Sequence, residues 1–528
     1  MRLRETFLQL FCVQKKIFCL NGGLSMSLIQ VTDLSFTYEG SYDPVFEHVS
    51  FQIDTDWKLG FTGRNGRGKT TFLNLLMNRF EYSGSISSSV IFDYFPFSVP
   101  DQERDTQEIL DSLLGDYEYW ELKRELNKLQ VSEDVMYRPF YTLSNGERTK
   151  VLLAALFLRE GHFLLIDEPT NHLDREGRRL VSQYLSGKKG FILVSHDRKF
   201  LDASVDHILS INKRDIEVQK GNFTSWYENK QRQDQYELSE NEKLKKDIRH
   251  LEESARRSGQ WADQVESTKI GKKSAGQEKS IDRRAYIGEK SRRMQMRRKN
   301  LERRQDRALE EKRGLLTNIE EAESLKLYPL RHHSQRLISL KDVVPYYDGP
   351  VCEPVSFVLE QGQRVSLQGK NGCGKSSLLK LILGNEMTDG PSHKGTVELA
   401  SGLKISYVSQ DTSFLKGSLT EYARESGVED FLFKALLRKL DFSREQFEKP
   451  MESYSEGQKK KVLIASSLCQ QAHVYIWDEP LNFIDVYSRI QIEDLILKFQ
   501  PSMVLVEHDE AFTGNVADVV VQIQMDLP

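Results

Sequence analysis

The sequence is poor in cysteine, and the five it has in 528 residues are scattered: Cys12, Cys19, Cys352, Cys373 and Cys469. An odd number without a Cys-x-x-Cys pair argues against a disulfide framework and a zinc site, and fits a reducing compartment. Long apolar runs are missing too. Leu152–Leu158 falls far short of the roughly 20 residues that cross a bilayer. With 29% charged residues and a mean hydropathy of -0.52, the composition is that expected of a soluble, cytoplasmic chain without a transmembrane segment. Proline is absent from residues 229–325, which leaves room for long helices there. Net charge is small, -4, but this hides segregation: between Glu266 and Arg313, 17 Lys or Arg face 8 Asp or Glu, a net of +9. Such a block is suited to a polyanion.

A chain of 528 residues with 39% hydrophobic residues exceeds what one core supports and predicts two or three domains. Residues 1–25 read as an extension, because Met26 is followed at once by the alternating strand pattern Ser27–Val31. Met26 is therefore the expected natural start, which N-terminal sequencing of the native protein checks.

From there the chain repeats itself. Gly63-Arg64-Asn65-Gly66-Arg67-Gly68-Lys69-Thr70 in the first half matches Gly369-Lys370-Asn371-Gly372-Cys373-Gly374-Lys375-Ser376 in the second, with Thr71 and Ser377 next at the helix start. Each follows a strand pattern (Lys58–Phe61, Arg364–Leu367) and opens an apolar-periodic helix. This is the context a phosphate loop requires. Glycines let backbone N–H groups approach phosphate, the lysine reaches the β and γ oxygens, and the hydroxyl ligates Mg²⁺. One match could be an ordinary Gly-rich turn; two in equivalent contexts are not.

Downstream, apolar strand patterns end in Asp167-Glu168 and Asp478-Glu479. The aspartates are the expected Mg²⁺ ligands and the glutamates the groups that orient or polarise the attacking water. Between loop and acid pair lie Leu143-Ser144-Asn145-Gly146-Glu147 and Tyr454-Ser455-Glu456-Gly457-Gln458, each Ser 23 residues before its Asp. Each Ser-x-Gly opens a helix, offering a hydroxyl, N–H groups and a helix N-terminus to an anion. Together these motifs resemble the ATP-binding-cassette superfamily and its signature loop. On that resemblance His196 and His508, 28 and 29 residues after the glutamates, are similar to the switch histidines at the γ-phosphate, and Asp174 and Asp485 to the D-loop aspartates. Gln410 in Tyr407-Val-Ser-Gln410 resembles the Q-loop glutamine; Tyr94-Phe-Pro-Phe97 has none, and Gln102 is the nearest substitute. Tyr38 or Tyr42, and Tyr346 or Tyr347, are the aromatic candidates for adenine.

The fold class expected is α/β: two tandem ATP-binding-cassette domains, residues 26–228 and 326–528, joined by an α-helical coiled-coil hairpin over 229–325. Two seams support the hairpin, Leu244, Ile248, Leu251, Ala255 and Met294, Leu301, Ala308, Leu315. The stretch around Lys269, Lys272, Lys273, Lys279, Arg283 and Arg284 would form a basic tip that contacts RNA phosphates. The resemblance further implies a head-to-tail sandwich with two ATPs. One site combines Lys69, Thr70, Asp167, Glu168 and His196 with Ser455 and Gly457; the other combines Lys375, Ser376, Asp478, Glu479 and His508 with Ser144 and Gly146.

Tandem cassettes, no membrane domain and a charged hairpin resemble the ABC-F family of ribosome-associated ATPases. Asp101–Phe140 is too short to hold an added arm, which with Tyr-Phe-Pro-Phe resembles the Lsa/Vga-type antibiotic-resistance branch. That resemblance implies a monomer with an intramolecular cassette dimer, using ATP and Mg²⁺. It would bind the ribosome at the tRNA exit site, reach rRNA and tRNA near the peptidyl-transferase centre, and displace lincosamide, pleuromutilin or streptogramin A. A general translation factor and the ATPase subunit of a transporter are the rivals.

Overall fold

The computed structural model describes residues 27–267 and 326–525, except 41–43, 98, 116, 160, 172, 213–214, 348 and 385–390, and between 268 and 325 only residues 296, 299 and 303. Met1–Trp226 with Glu323–Pro528 makes one compact unit, and Tyr227–Ala322 a second.

Within the first unit the two halves repeat one architecture. In the first half, β1 (Leu28–Phe36), β2 (Phe46–Asp54), β3 (Lys58–Thr62), β4 (Ser83–Ser87), β5 (Ile91–Phe95), β6 (His162–Asp167), β7 (Phe191–Val194), β8 (His207–Asn212) and β9 (Asp215–Lys220) form two sheets. A small antiparallel sheet runs β2-β1-β4, and a larger one runs β5-β6-β7-β3-β8-β9. The larger sheet is parallel except for the β8–β9 hairpin. Sequence pattern decides which is which. Phe163–Ile166 and Phe191–Val194 are apolar at every position and buried throughout, as a parallel strand covered on both faces must be. In contrast β1 alternates buried with exposed residues and has one wet face.

The second half repeats this with β10 (Arg336–Tyr346), β11 (Val355–Glu360), β12 (Arg364–Gln368), β13 (Ser392–Leu399), β14 (Ile405–Val408), β15 (Val474–Asp478), β16 (Met503–Val506) and β17 (Val519–Gln522). Here the antiparallel sheet is β11-β10-β13 and the parallel one β14-β15-β16-β12-β17. A core of Phe46, Phe61, Phe72 and Phe163 fills the space between the first half's sheets, and Leu340, Val365, Leu378 and Ile476 do so in the second. Both parallel sheets place the loop-bearing strand beside the switch strand, so the carboxyl ends of β3, β6 and β7, and of β12, β15 and β16, converge. That is where ligands bind in open α/β sheets.

Between β5 and the signature of the first half, the described residues hold two short helices, Thr106–Leu114 and Tyr119–Lys128, and two 3-10 turns. The second half has the matching pair Leu419–Glu425 and Asp430–Lys439.

A 45-residue helix, Phe223–Ser267, follows β9. It carries the first apolar seam, in which Leu244 and Ile248 are half-buried. The second seam and the basic stretch fall outside the described residues. Near the start of the helix Trp226 is buried, and its ring meets Tyr487 edge-on at 6.5 Å. Among the described residues no helix is long and apolar enough to cross a membrane.

Candidate active site

Each phosphate loop leaves its strand and turns directly into a helix, Lys69–Leu76 or Lys375–Leu383. The turn needs φ of +81° and +95° at Gly66 and Gly68, and +81° and +92° at Gly372 and Gly374, which only glycine takes without strain. Space is the second constraint: a Cβ on Gly68 would lie 2.6 Å from Val45, and one on Gly374 2.9 Å from Val351. Neither helix has a side-chain cap or an acid in its first turn, so the N-terminal N–H groups are left for an anion. The buried lysines close back on the loops. Lys69 Nζ donates to the Gly63 and Arg64 carbonyls at 2.7 and 3.2 Å. Lys375 Nζ donates to those of Gly369 and Lys370, both at 2.9 Å.

Beside each loop stands the acid pair. Thr70 Oγ1 donates to Asp167 Oδ2 at 3.2 Å, and Ser376 bonds Asp478 in the same way. Asp478 Oδ1 is buried without a hydrogen-bond partner. An orphaned carboxylate oxygen next to a hydroxyl is a donor set that fits Mg²⁺, which takes one or two protein oxygens and completes its shell with phosphate and water. Glu168 and Glu479 follow at φ of 50° and 47°, strained for a non-glycine residue, and the same strain appears at both sites. Their carboxylates face the histidines identically: His196 Nε2 lies 3.3 Å from Glu168 Oε1, and His508 Nε2 lies 3.3 Å from Glu479 Oε1.

The surroundings differ. Burial pushes the Glu168 carboxyl up to about 8, and the charge of Asp167 adds to it. Burial also acts on Glu479, but the facing His508 and the positive charges of Lys375 and Lys460 outweigh it and hold the group below the ordinary carboxylate range. Lys460 donates to the Ser409 carbonyl at 3.0 Å; the matched position in the first half is the neutral Thr149, which bonds Asn145 instead. Two amides further tie Glu479 Oε2, Gln410 Nε2 and Asn482 Nδ2, both at 2.8 Å. In the first half Tyr94 occupies the Q-loop region and its hydroxyl donates to Asp167 Oδ2 at 2.9 Å. Gln102 is exposed, and its carbonyl lies against the Tyr141 N–H.

Ser144 and Ser455 each cap a helix through a reciprocal capping box with Glu147 and Gln458. They are N-caps and also open the helices whose N-termini face the opposite half. A cavity of about 860 Å³ is lined by Ser144, Asn145, Gly146 and Lys150 from the first half. From the second half come Asn371, Gly372, Gly374, Lys375, Ser376, Ser377, Gln410, Glu479 and His508, with Tyr347 at its edge. At the other site Asn65 Nδ2 donates to the Phe483 carbonyl at 2.9 Å. A Cβ on Gly457 would lie 2.4 Å from that carbonyl and 3.3 Å from Asn65, so the first phosphate loop and the second signature glycine meet over Phe483. Of the aromatic candidates, Tyr347 borders the cavity and Tyr38 bonds Thr71 Oγ1 at 2.6 Å. Tyr346 lies under Lys394, and Tyr42 is outside the described residues.

Asp174 and Asp485 cap the helices that follow them. Asp485 also accepts from the buried Lys461 at 2.8 Å; burial alone would raise its carboxyl, but Lys461 holds it well below the ordinary range. Sequence reading passed over Arg178 and Arg489, four residues after Asp174 and Asp485 respectively. Arg178 pairs with Asp197 at 3.1 Å and Arg489 with Asp509 at 2.8 Å, both buried, and each also donates to a D-loop carbonyl. Their matched spacing was the available signal. Across the halves run Arg198 to Glu493, Arg175 to Glu510, Lys199 to Glu510 at 3.3 Å and Lys370 to Glu176 at 3.4 Å. Lys269, Lys272, Lys273, Lys279, Arg283 and Arg284 lie outside the described residues.

Residues 46–171 and 352–482 match the family described as ABC transporter. The Ribosome protection protein VmlR of Bacillus subtilis (strain 168) is 26% identical over 490 residues, 91% of this chain and 84% of that protein. The Probable ATP-binding protein YbiT of Escherichia coli O157:H7 is 24% identical, covering 91% and 93%. ATP-binding protein Uup of Buchnera aphidicola is also 24% identical, covering 93% and 80%. Among solved structures, the archaeal ribosome recycling factor aABCE1, in complex with stalk protein aP1, superposes with a TM-score of 0.58 at 18% identity. It covers 93% of this chain and 89% of that one, a likeness of fold.

Proposed function

We propose that this chain, which holds two ATP-binding cassettes, is an ATPase of the ABC-F type that binds the ribosome in its ATP-bound form and protects it from peptidyl-transferase-centre antibiotics. In this reading it works in the cytoplasm, docks at the tRNA exit site and directs its basic inter-cassette segment toward rRNA and tRNA. The observation that carries the reading is similarity to a ribosome protection protein over 91% of the chain, together with a block of +9 net charge between the cassettes. YbiT and Uup match at nearly the same identity, so a general translation factor of the same type is the second reading.

The chemistry proposed at each site is attack of water on the γ-phosphorus of ATP, with the bond to the ADP oxygen breaking as the new P–O bond forms. Glu168 or Glu479 accepts a hydrogen bond from that water and orients it, and His196 or His508 fixes the carboxylate from the other side. Thr70 with Asp167, and Ser376 with Asp478, are the residues that would hold Mg²⁺, which neutralises phosphate charge. Lys69 and Lys375 stabilise the charge developing on the γ-phosphoryl oxygens. Because Ser144 and Gly146 face the second site and Ser455 and Gly457 the first, bound ATP draws the halves together and hydrolysis relaxes them.

The test is the double variant Glu168→Gln, Glu479→Gln. It should co-sediment with ribosomes in ATP and not in ADP, and expression of the parent protein should raise resistance to the three drug classes in a susceptible host. Ribosome binding without resistance would select the translation-factor reading. Membrane fractionation without ribosome binding would overturn both and favour a transporter subunit.

A further inference from the structure

We propose that Glu507 is a positioning residue for ATP hydrolysis at the second site, where its buried side chain braces the switch histidine against the segment that carries Glu479. Among the described residues, the first site has no such brace.

Glu507 is 4% exposed and stands between Val506, the end of β16, and His508. Its Oε1 accepts from the His508 N–H at 2.8 Å and, more weakly, from that of Asp509 at 3.4 Å; its Oε2 accepts from the Leu481 N–H at 3.2 Å. Leu481 comes two residues after Glu479, which leaves the neighbouring parallel strand β15 opposite Val506, and the Glu479 N–H itself donates to the Val506 carbonyl at 2.9 Å. One carboxylate thus spans the exits of two strands, one delivering Glu479 and the other His508. The distance it protects is the 3.3 Å between His508 Nε2 and Glu479 Oε1.

The first half shows what the alternative looks like. There the matched residue is Ser195, whose hydroxyl accepts from the Asp197 N–H at 3.2 Å and lies 3.4 Å from Thr170 Oγ1. Thr170 is the counterpart of Leu481, so both partners differ together: a long contact between two hydroxyls in one half, backbone N–H to carboxylate in the other. Hydrogen bonds to an ionised acceptor are roughly twice as strong as neutral ones. A buried carboxylate needs positive charge nearby. Burial raises the Glu507 carboxyl and the charge of Asp509 adds to it, while Arg489 and, from the opposite half, Arg178 pull against it. Both its oxygens accept backbone N–H bonds.

A brace of this kind acts on the geometry of the water-orienting pair rather than on nucleotide affinity. Its loss should therefore lower kcat and leave KM alone. Hydrolysis by purified protein without ribosomes reads this out, so the outcome does not depend on the ribosome reading. In full-length Glu168→Gln protein, where only the second site turns over, Glu507→Ser should lower kcat about tenfold with KM for ATP unchanged. Adding Leu481→Thr, which reproduces the first half's pair, should recover part of the loss. Glu507→Gln keeps one acceptor oxygen and the side-chain shape, and should fall between parent and Glu507→Ser. In a Glu479→Gln background, where the second site is already silent, Glu507→Ser should cost nothing more. An unchanged kcat in both Glu507 variants, a rise in KM at constant kcat, or the same fold-loss in the Glu479→Gln background would each overturn the proposal.

Discussion

The two nucleotide sites carry the same residues and stand in different electrostatic settings. Loop lysine, strand-end aspartate and glutamate, histidine and helix-capping serine recur in both, and the His–Glu separation is the same 3.3 Å. Around that shared frame the first site has Thr149, Ser195 and Phe97 where the second has Lys460, Glu507 and Gln410. Burial and the charge of Asp167 push Glu168 up to about 8, while His508, Lys375 and Lys460 outweigh burial and hold Glu479 low. Motif identity therefore does not make the two settings equivalent: the same residue type is held at different levels by what surrounds it.

The largest effect should come from removing both glutamates, which erases the comparison. Glu168→Gln with Glu479→Gln should lower steady-state ATP hydrolysis about 1000-fold while ATP binding, followed by fluorescent nucleotide titration, persists. Next is Gly457→Ala. Its Cβ would lie 2.4 Å from the Phe483 carbonyl, so the first site cannot close without displacing the D-loop. In a Glu479→Gln background this change should reduce kcat/KM about 100-fold, and the mirror measurement in Glu168→Gln protein should move far less. Tyr94→Phe removes the hydroxyl bonded to Asp167 and should slow only the first site, about threefold to tenfold. The smallest effect should follow Tyr487→Ala. That ring lies 5.7 Å beneath the Arg64 guanidinium and edge-on to Trp226, and its loss should raise KM for ATP at the first site about twofold to fivefold.

Much of this arrangement was legible in the sequence because its chemistry is local. A phosphate loop needs its glycines, lysine and hydroxyl within eight residues, and the apolar strands before Asp167 and Asp478 are contiguous. The α/β fold with two cassettes followed from those patterns repeating. The missing Q-loop glutamine was visible too, but the tyrosine contact to Asp167 was not. Tyr94 reaches Asp167 because β5 pairs with β6 in register, Tyr94 opposite Leu165, and a pairing between strands some seventy residues apart leaves no local mark. The same holds for Lys460 and Thr149, which sit inside ordinary helices, and for Glu507, which reads as one polar residue before a histidine until its three N–H partners are seen. Arg178 and Arg489 lay in plain view at matched spacing, but a buried arginine looks like any surface charge on a helix until packing covers it.

The account rests on two identical glutamates working at different pH. The direct measurement is the pH dependence of ATP hydrolysis from pH 6 to 9 in the two single variants. In Glu479→Gln protein the first site alone turns over, and Glu168 must lose its proton, so the rate should climb through about pH 8 and then level off. In Glu168→Gln protein the second site turns over with Glu479 already ionised, so the profile should be flat across the range, and Lys460→Thr in that background should bend it toward the first. Superimposable profiles from the two single variants would contradict the account.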